Sequence, residues 1–381
     1  MGAPAVLTGA VDLAPDPVLP GRDDLLDPAT LVRAKYRIGE SLRVVHRVDG
    51  GLVSTRLFPG GRVERWAFPD DRRLRGLADV LRPPADVAGL AGGRWVRSEV
   101  AEYAPERSLT VRCADAAGAT VAYAKAYAPG TVDVAALAAR YAAVADGLRG
   151  TGLPVASPRP LGSSAERHLL VLEAMPGERW GDLPAERLRP ALGLLGRAVA
   201  AVHGLDVPGL CPFGRLAVPR VTRSAALVAA ARPDLAGPLA EVAAALAGGP
   251  PPGDPPVALH GDCHPKNALV GGGRLALVDL DQAGCGPAAA DVGSLLARLR
   301  LAALLGDADP ADQAHLAAAF LDGYAAVRTP PPPGSLAWHT AAALVAEQAV
   351  RAVNRVRRHV LPVLDRVVAA AADTLRTGAV P

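Results

Sequence analysis

The run from Leu259 to Asp281, LHGDCHPKNALVGGGRLALVDLD, leaves the chain few options around it. Two apolar stretches, ALV and LALV, flank Gly271, Gly272 and Gly273, and a glycine turn between strand formers predicts a tight antiparallel hairpin. Such a hairpin sets Asn267, before its first strand, beside Asp279, after its second. A fold that holds it must therefore gather His260, Asp262, Asn267, Asp279 and Asp281 in one region.

With 381 residues the chain is long enough for two or three structural units. Its 50% hydrophobic and 21% charged residues are those of a folded globular protein. A formal charge of +3 is nearly balanced, so no nucleic-acid partner and no membrane partner is expected, and any basic site must be local. The four cysteines lack paired CxxC spacing and read as free thiols, which predicts a cytoplasmic protein. The N-terminus MGAPAVLTGAVDLAPDPVLPG has no basic n-region and no myristoylation signal, and no run approaches the length of a membrane span.

Residues 1 to about 30 are punctuated by Pro and Asp and are expected to be irregular, with a small capped helix near DPATLVRAKY. The next stretch, YRIGESLRVVHRVDGGLVSTRLFPGGRVERWAFP, alternates apolar runs with Gly turns and predicts an antiparallel meander. YRIGESLRVV and YAPERSLTVR share Tyr, Ser, Leu and Val at the same spacing, a weak sign of a duplicated hairpin. Between them, DDRRLRGLADVLRPPADVAGLAGG predicts a short helix ended by Pro-Pro and then a linker. From Asp182 the pattern is mainly helical.

Asp262 and Asn267 have the D-x-x-x-x-N spacing of a phosphoryl-transfer loop, where an Asp handles the acceptor hydroxyl and an Asn binds Mg²⁺. Asp279 then offers a second hard oxygen to the metal, with nucleotide phosphates completing its shell. His260, Cys263 and His264 could be mistaken for zinc ligands, but no second ligand pair lies at suitable spacing. The combination H-G-D-x-H-P-x-N, a turn, and an apolar strand ending in D-x-D resembles the aminoglycoside phosphotransferase and choline kinase-like group. That resemblance, firm from about Val96 to Leu299, implies an α+β, two-lobe protein-kinase-like fold with a β-rich N-lobe and a mainly helical C-lobe. It implies Asp262 as catalytic base with His260 orienting the loop, Asn267 and Asp279 as metal ligands, Asp281 behind them, and Asp291 as a structural Asp at the next helix. ATP and Mg²⁺ are the implied cofactors.

Strand alternation in ATVAYAKAYA puts Lys125 on one face with Val121, Tyr123 and Tyr127, and only Ala on the other. A strand lysine of this kind needs a counter-charge, which nucleotide phosphates would provide. HLLVLEAMPGERWGDL resembles the hinge between the lobes, where backbone groups near Glu173 and Met175 would bind adenine. His203, in the following helix, reads as a packing and capping residue. The helix after the lysine strand lacks the family's glutamate; it offers Asp133 and Asp146, neither well aligned. No G-x-G-x-x-G precedes the lysine, so backbone amides of YAPERSLTVRCADAAG, with Ser108, would cover the phosphates. An enlarged N-terminal cap is similar to that of maltokinase-like relatives. The expected domains are a β-rich cap over 1–90, an N-lobe over 91–175 and a C-lobe over 176–381.

These readings predict an ATP-dependent kinase acting on a hydroxyl of a small molecule, such as a sugar or natural product. Two alternatives are a kinase of Ser or Thr in a ribosomal precursor peptide working with a dehydrating lyase, and a non-catalytic scaffold. Intact Lys125, Asp262, Asn267 and Asp279 argue against the scaffold. Arg351, Arg355 and Arg358 recur at helical spacing. They predict a solvated face with partners such as Glu347 or, less simply, a site for an acceptor bearing negative charge.

Overall fold

In the computed structural model, which describes residues 13–14, 23–306 and 310–380, the alternation after Leu31 becomes a four-stranded antiparallel meander. Its strands are β1 (Leu31–Arg37), β2 (Ser41–Val48), β3 (Gly51–Leu57) and β4 (Val63–Ala67), in that order across the sheet. The helix expected over DPATLVRAKY does not form. Asp27 closes a turn instead: its carboxylate accepts from the Ala29 amide at 3.0 Å and its carbonyl from the Leu31 amide at 2.9 Å. The chain then enters β1, where cross-strand pairing with β2 overrides local helical preference. Most of the first thirty residues, expected to be irregular, lie outside the described ones.

Helix α1 (Leu77–Leu81) ends before Pro83 and Pro84 as the sequence predicts, but the stretch beyond is not a linker. Helix α2 (Ala85–Gly89) begins there with Pro84 at its N-cap, where a missing N–H is harmless, and it buries Val87. A second sheet follows, built from β5 (Arg97–Ala104), β6 (Ser108–Ala114) and β7 (Thr120–Tyr127). After α3 (Val134–Gly150) and β8 (Val155–Ala156), strands β9 (Pro160–Ser164) and β10 (Leu169–Glu173) complete it in the order β5-β6-β7-β10-β9. The repeated motif marks the same hairpin twice: Tyr36 faces Leu42 across β1 and β2, and Tyr103 faces Leu109 across β5 and β6.

The C-terminal half opens with β11 (Glu178–Arg179), α4 (Ala185–Val202), α5 (Val218–Ala231) and α6 (Ala236–Leu246). Next come β12 (Pro256–Leu259), β13 (Ala268–Gly271), β14 (Arg274–Leu277) and β15 (Gly284–Pro287). Helices α7 (Ala289–Leu305), α8 (Pro310–Ala325), α9 (Pro333–Ala343), α10 (Val350–Asn354) and α11 (Leu364–Thr377) finish the chain, with a π-helical turn, Leu344–Ala349, between α9 and α10. Helices α4 and α8 pack backbone to backbone: a Cβ on Gly196 would lie 2.1 Å from the Phe320 carbonyl oxygen, so glycine is required there.

Period-two patterning in β2 divides the first sheet between two cores. Leu42 and Val44 pack with α5, α6, α9 and α11, whereas Val45 joins Trp95, Leu109 and Val111 beneath the second sheet. The N-terminal sheet is thereby wedged against both halves of the molecule. No helix among the described residues is long and apolar enough to cross a membrane. All four cysteines are free.

Candidate active site

The hairpin read from the sequence is β13 and β14, with Ala268 opposite Leu277 and Gly271 opposite Arg274. Gly272 and Gly273 turn at φ of 56° and 71°, the left-handed values that a two-residue hairpin loop of this hand demands. At its open end the Val278 amide donates to the Asn267 carbonyl at 2.9 Å, which places Asn267 next to Asp279 as expected.

Lys125, central in β7, reaches across to this end. Its Nζ donates to Asp279 Oδ1 at 2.6 Å and Asp281 Oδ1 at 2.8 Å, and the Tyr127 hydroxyl donates to Asp281 Oδ2 at 3.0 Å. The carboxylates that hold the lysine are thus the D-x-D pair itself. Helix α3 contributes Tyr141, whose hydroxyl accepts from the Leu280 amide at 2.9 Å; Asp133 caps that helix and Asp146 pairs with Arg149 and Arg159. Burial works against the Lys125 charge, but Tyr141, Asp281, Tyr127 and Asp279 outweigh it and hold its pKa well above the usual lysine value. Burial likewise opposes the Asp279 charge, yet Lys125 prevails and keeps this carboxyl below its ordinary range. In Asp281 burial wins and the pKa rises. Asp279 sits at φ 68°, a strained value for a residue with a side chain and one that Asp tolerates better than most.

The loop from His260 to Asn267 is built from inside. Asp291, at the start of α7 and 1% exposed, accepts from the His260 amide at 2.7 Å, the Gly261 amide at 2.9 Å and His203 Nε2 at 3.2 Å. Gly261 turns at φ 77° with so little room that a Cβ would lie 1.9 Å from the Gln282 carbonyl oxygen. His260 is wholly buried, its Nε2 3.0 Å from the Val278 carbonyl oxygen, and so ties the loop to the hairpin without reaching the surface of the cleft. His203 Nδ1 lies 2.8 Å from the Tyr324 hydroxyl, which fits the packing role expected of it.

Asp262 itself stands in a ring of cations that only partly showed in the sequence. Arg215 lies 3.0 Å from its Oδ1, Arg351 3.3 Å and Arg298 3.7 Å, while His264 Nε2 is 3.5 Å from Oδ2. Burial disfavours the Asp262 charge, but His264, Arg215 and Arg298 together drive its pKa far below the carboxylate range. Arg351 therefore does not sit on the solvated face that its spacing suggested. It points at Asp262, and Glu347, 3% exposed, pairs with Arg215 at 3.1 Å. Arg215 comes from the turn before α5 and Arg298 from α7, with no motif around either. A guanidinium run in the last third of the chain was the one available hint.

Hard oxygens for a divalent cation are present. The Asn267 side-chain amide donates to the Asp262 carbonyl at 3.0 Å, which turns its Oδ1 the other way, and Asp279 adds a carboxylate. Among the described residues no group of three or more His, Cys, Asp or Glu is placed to hold a metal. Two protein oxygens suit Mg²⁺, which keeps waters and takes phosphate oxygens for the rest of its shell. Glu173 and Met175 border a cavity of about 380 Å³ together with Val155, Ala156 and Arg274. The Glu173 amide already donates to the Arg159 carbonyl at 2.8 Å, so its carbonyl and the Met175 amide are the groups a base would use. Ser108 starts β6, opposite Ala104 and Tyr127, at the turn over Pro105–Arg107.

Comparison with known proteins fits this geometry. No curated protein matches the chain. Among solved structures, amicoumacin kinase hAmiN in complex with AMP-PNP, Ca²⁺ and Ami superposes with a TM-score of 0.51 at 14% identity, over 78% of this chain and 96% of that one. A choline/ethanolamine kinase family protein from Mesorhizobium loti gives 0.47 at 17% identity, over 77% and 97%. Aminoglycoside phosphotransferase APH(3'')-Id from Streptomyces rimosus gives 0.45 at 20%, over 73% and 98%. The first of these shows a shared two-lobe kinase-like fold. Residues 106–338 match the APH family, described as the phosphotransferase enzyme family. Because that span covers more than half of the chain, from the β5–β6 turn through the Asp262 loop into α9, the chain belongs to the phosphotransferase enzyme family.

Proposed function

We propose that this enzyme transfers the γ-phosphate of Mg²⁺-bound ATP to a hydroxyl of a small molecule, with Asp262 as the acceptor base. The observation that carries the reading is the meeting of Lys125 with Asp279 and Asp281, 154 and 156 residues away, beside the loop that bears Asp262 and Asn267. Lys125 holds phosphate oxygens, Asn267 and Asp279 hold the metal, and Asp262 orients the hydroxyl and takes its proton as the new bond forms. The metal would neutralise charge on the phosphates. Main-chain groups at Glu173 and Met175 receive the base, and the turn before Ser108 covers the phosphates. Incubation with γ-labelled ATP and Mg²⁺ against a panel of sugars, natural-product alcohols and Ser/Thr peptides tests this. Label should move to an alcohol only with metal present, and wild-type protein that neither binds Mg²⁺-ATP nor moves label would overturn the reading.

The N-terminal cap has a stated part in this proposal. Arg43 of β2 bonds the Pro105 carbonyl at 3.0 Å and pairs with Glu106, which also takes Arg72 at 2.6 Å. Asp71 accepts from the Tyr103 hydroxyl at 2.7 Å and the Glu106 amide at 2.8 Å. A turn lacking glycines is in this way held in place by the cap instead of by its own backbone. Asp71→Asn should raise the KM for ATP by about 5- to 10-fold with little change in kcat, since a fixed turn positions phosphate in ground and transition states alike. Equal ATP KM in the folded variant, read by steady-state kinetics, would remove the clamp from the account.

A further inference from the structure

The cations around Asp262 outnumber their partners. Arg215 is fully engaged, with the Gly261 carbonyl at 2.6 Å, Asp262 at 3.0 Å and Glu347 at 3.1 Å. Arg298 is different: its Nε and Nη2 are buried with no hydrogen-bond partner, and its nearest carboxylate oxygen is 3.7 Å away. Beyond the short helix α10 the chain turns at Val356, φ 47°, with Arg355 and Arg357 on either side of it, and the charge of Arg298 is felt by both. Burial, then Arg355 and Arg298, push the Arg357 pKa down to about 10; partial burial and Arg33 lower Arg355, with Glu102 and Asp262 acting against them. Among the described residues neither Arg355 nor Arg357 forms a salt bridge with a carboxylate. Three guanidinium groups, on Arg215, Arg298 and Arg351, thus lie within 4 Å of Asp262, and of these Arg298 has no hydrogen-bonded partner for its buried Nε and Nη2.

Crowding of this kind is costly without an anion. Like charges destabilise one another in a partly dehydrated site, and the cost is offset only when a counter-ion enters. Guanidinium forks match the paired oxygens of phosphate and carboxylate, so the chemistry of the missing group is narrow. A cationic acceptor, whose ammonium groups require carboxylates, would meet repulsion here from Arg298 and Arg351.

We infer that the acceptor is an alcohol that itself carries a phosphate or carboxylate, and that Arg298, with Arg351 beside it and Arg357 adding charge, binds this anionic group while Asp262 faces the hydroxyl. This inference rests on the kinase reading above and names the substrate class of the same site. In the reaction the acceptor oxygen forms a bond to the γ-phosphorus as the bond to the β,γ-bridging oxygen breaks. ADP leaves with that electron pair, the hydroxyl proton passes to Asp262, and the acceptor's anionic group is unchanged.

Matched acceptors decide the matter: glycerol against glycerol 3-phosphate and glycerate, a hexose against its 6-phosphate and its uronic acid, and choline and kanamycin as cationic controls. The anionic member of a pair should exceed its neutral partner in kcat/KM by about tenfold or more, as loss of a charged contact usually reads. The phosphate and carboxylate arms show which anion is preferred. A direct measurement covers the case in which no member is turned over: inorganic phosphate titrated calorimetrically into enzyme saturated with Mg²⁺-AMP-PNP should bind. Arg298→Gln, and Arg357→Gln should the first not fold, should weaken that binding by about tenfold with the nucleotide Kd unchanged. Equal or better use of neutral or cationic acceptors overturns the inference, as does phosphate that fails to bind the nucleotide-loaded enzyme. Either result leaves the kinase reading standing, because Mg²⁺-ATP binding is measured separately.

Discussion

Asp262→Asn should lower turnover by roughly 10²-fold or more while the Kd for Mg²⁺-ATP stays within about twofold of wild type. The amide keeps the size of the side chain and one acceptor oxygen, but it cannot take the proton or complement the developing charge on the acceptor oxygen. In the proposed site the nucleotide contacts fall to Lys125, Asn267 and Asp279, so binding should survive where chemistry fails. The arginines add a second expected change. Asp262 is held charged by His264, Arg215 and Arg298, so its folded pKa lies below its unfolded one. A carboxyl depressed in this way contributes stability above about pH 4, its unfolded value, and that contribution is lost as pH falls through the folded pKa. The variant has no such group to titrate. Its thermal stability should be lower than wild type at neutral pH, and the gap should narrow on acidification. Wild-type turnover in the folded variant would remove Asp262 from the base role, and a gap that is constant with pH would remove the ion-pair account.

The parts of this site that were legible in the sequence are those confined to short stretches of chain. The Asp262 loop, the glycine turn and the D-x-D end lie within one hairpin, so spacing alone could bring Asn267 beside Asp279. Alternation in β7 gave Lys125 its face for the same reason. What spacing cannot show is which distant group completes a pair. The helix after the lysine strand lacks the family's glutamate, and spacing could not name the carboxylate that replaces it; α3 supplies Tyr141, whose hydroxyl holds the peptide between the two aspartates that bind the lysine. Arg215, Arg298 and Arg351 reach Asp262 from three places in the chain, a turn and two helices, none marked by a local motif. The stripe at Arg351 and Arg355 was visible, but α10 ends at Asn354, and a helical wheel that assumes continuation places Arg355 and Arg358 wrongly. The misplaced first helix has a similar origin. Asp27 can start a helix or close a turn, and only the strand waiting in β2 selects the turn.

Asp279 should show the opposite pattern from Asp262, with binding and chemistry lost together. Asparagine is the informative replacement, because φ at this position is 68° and Asn tolerates left-handed backbone better than Ala does. Asp279→Asn therefore preserves the turn while it removes one charged oxygen from the proposed Mg²⁺ site and one of the two carboxylates that fix Lys125. Lys125 retains Asp281 at 2.8 Å, so the lysine keeps a counter-charge and the protein should fold. The remaining metal oxygen, on Asn267, is neutral, and a hard dication with its phosphates needs the negative ligand far more than the shape of the side chain. The Kd for Mg²⁺-ATP should rise by about tenfold or more, and turnover should fall by about 10³-fold, since charge on the transferring phosphoryl group is greatest in the transition state. Raising free Mg²⁺ should recover part of the binding loss but little of the rate, because mass action refills a weak site without restoring its geometry. Unchanged Mg²⁺ dependence of nucleotide binding in a folded Asp279→Asn protein would take the metal away from this carboxylate and leave it as a partner of Lys125 alone.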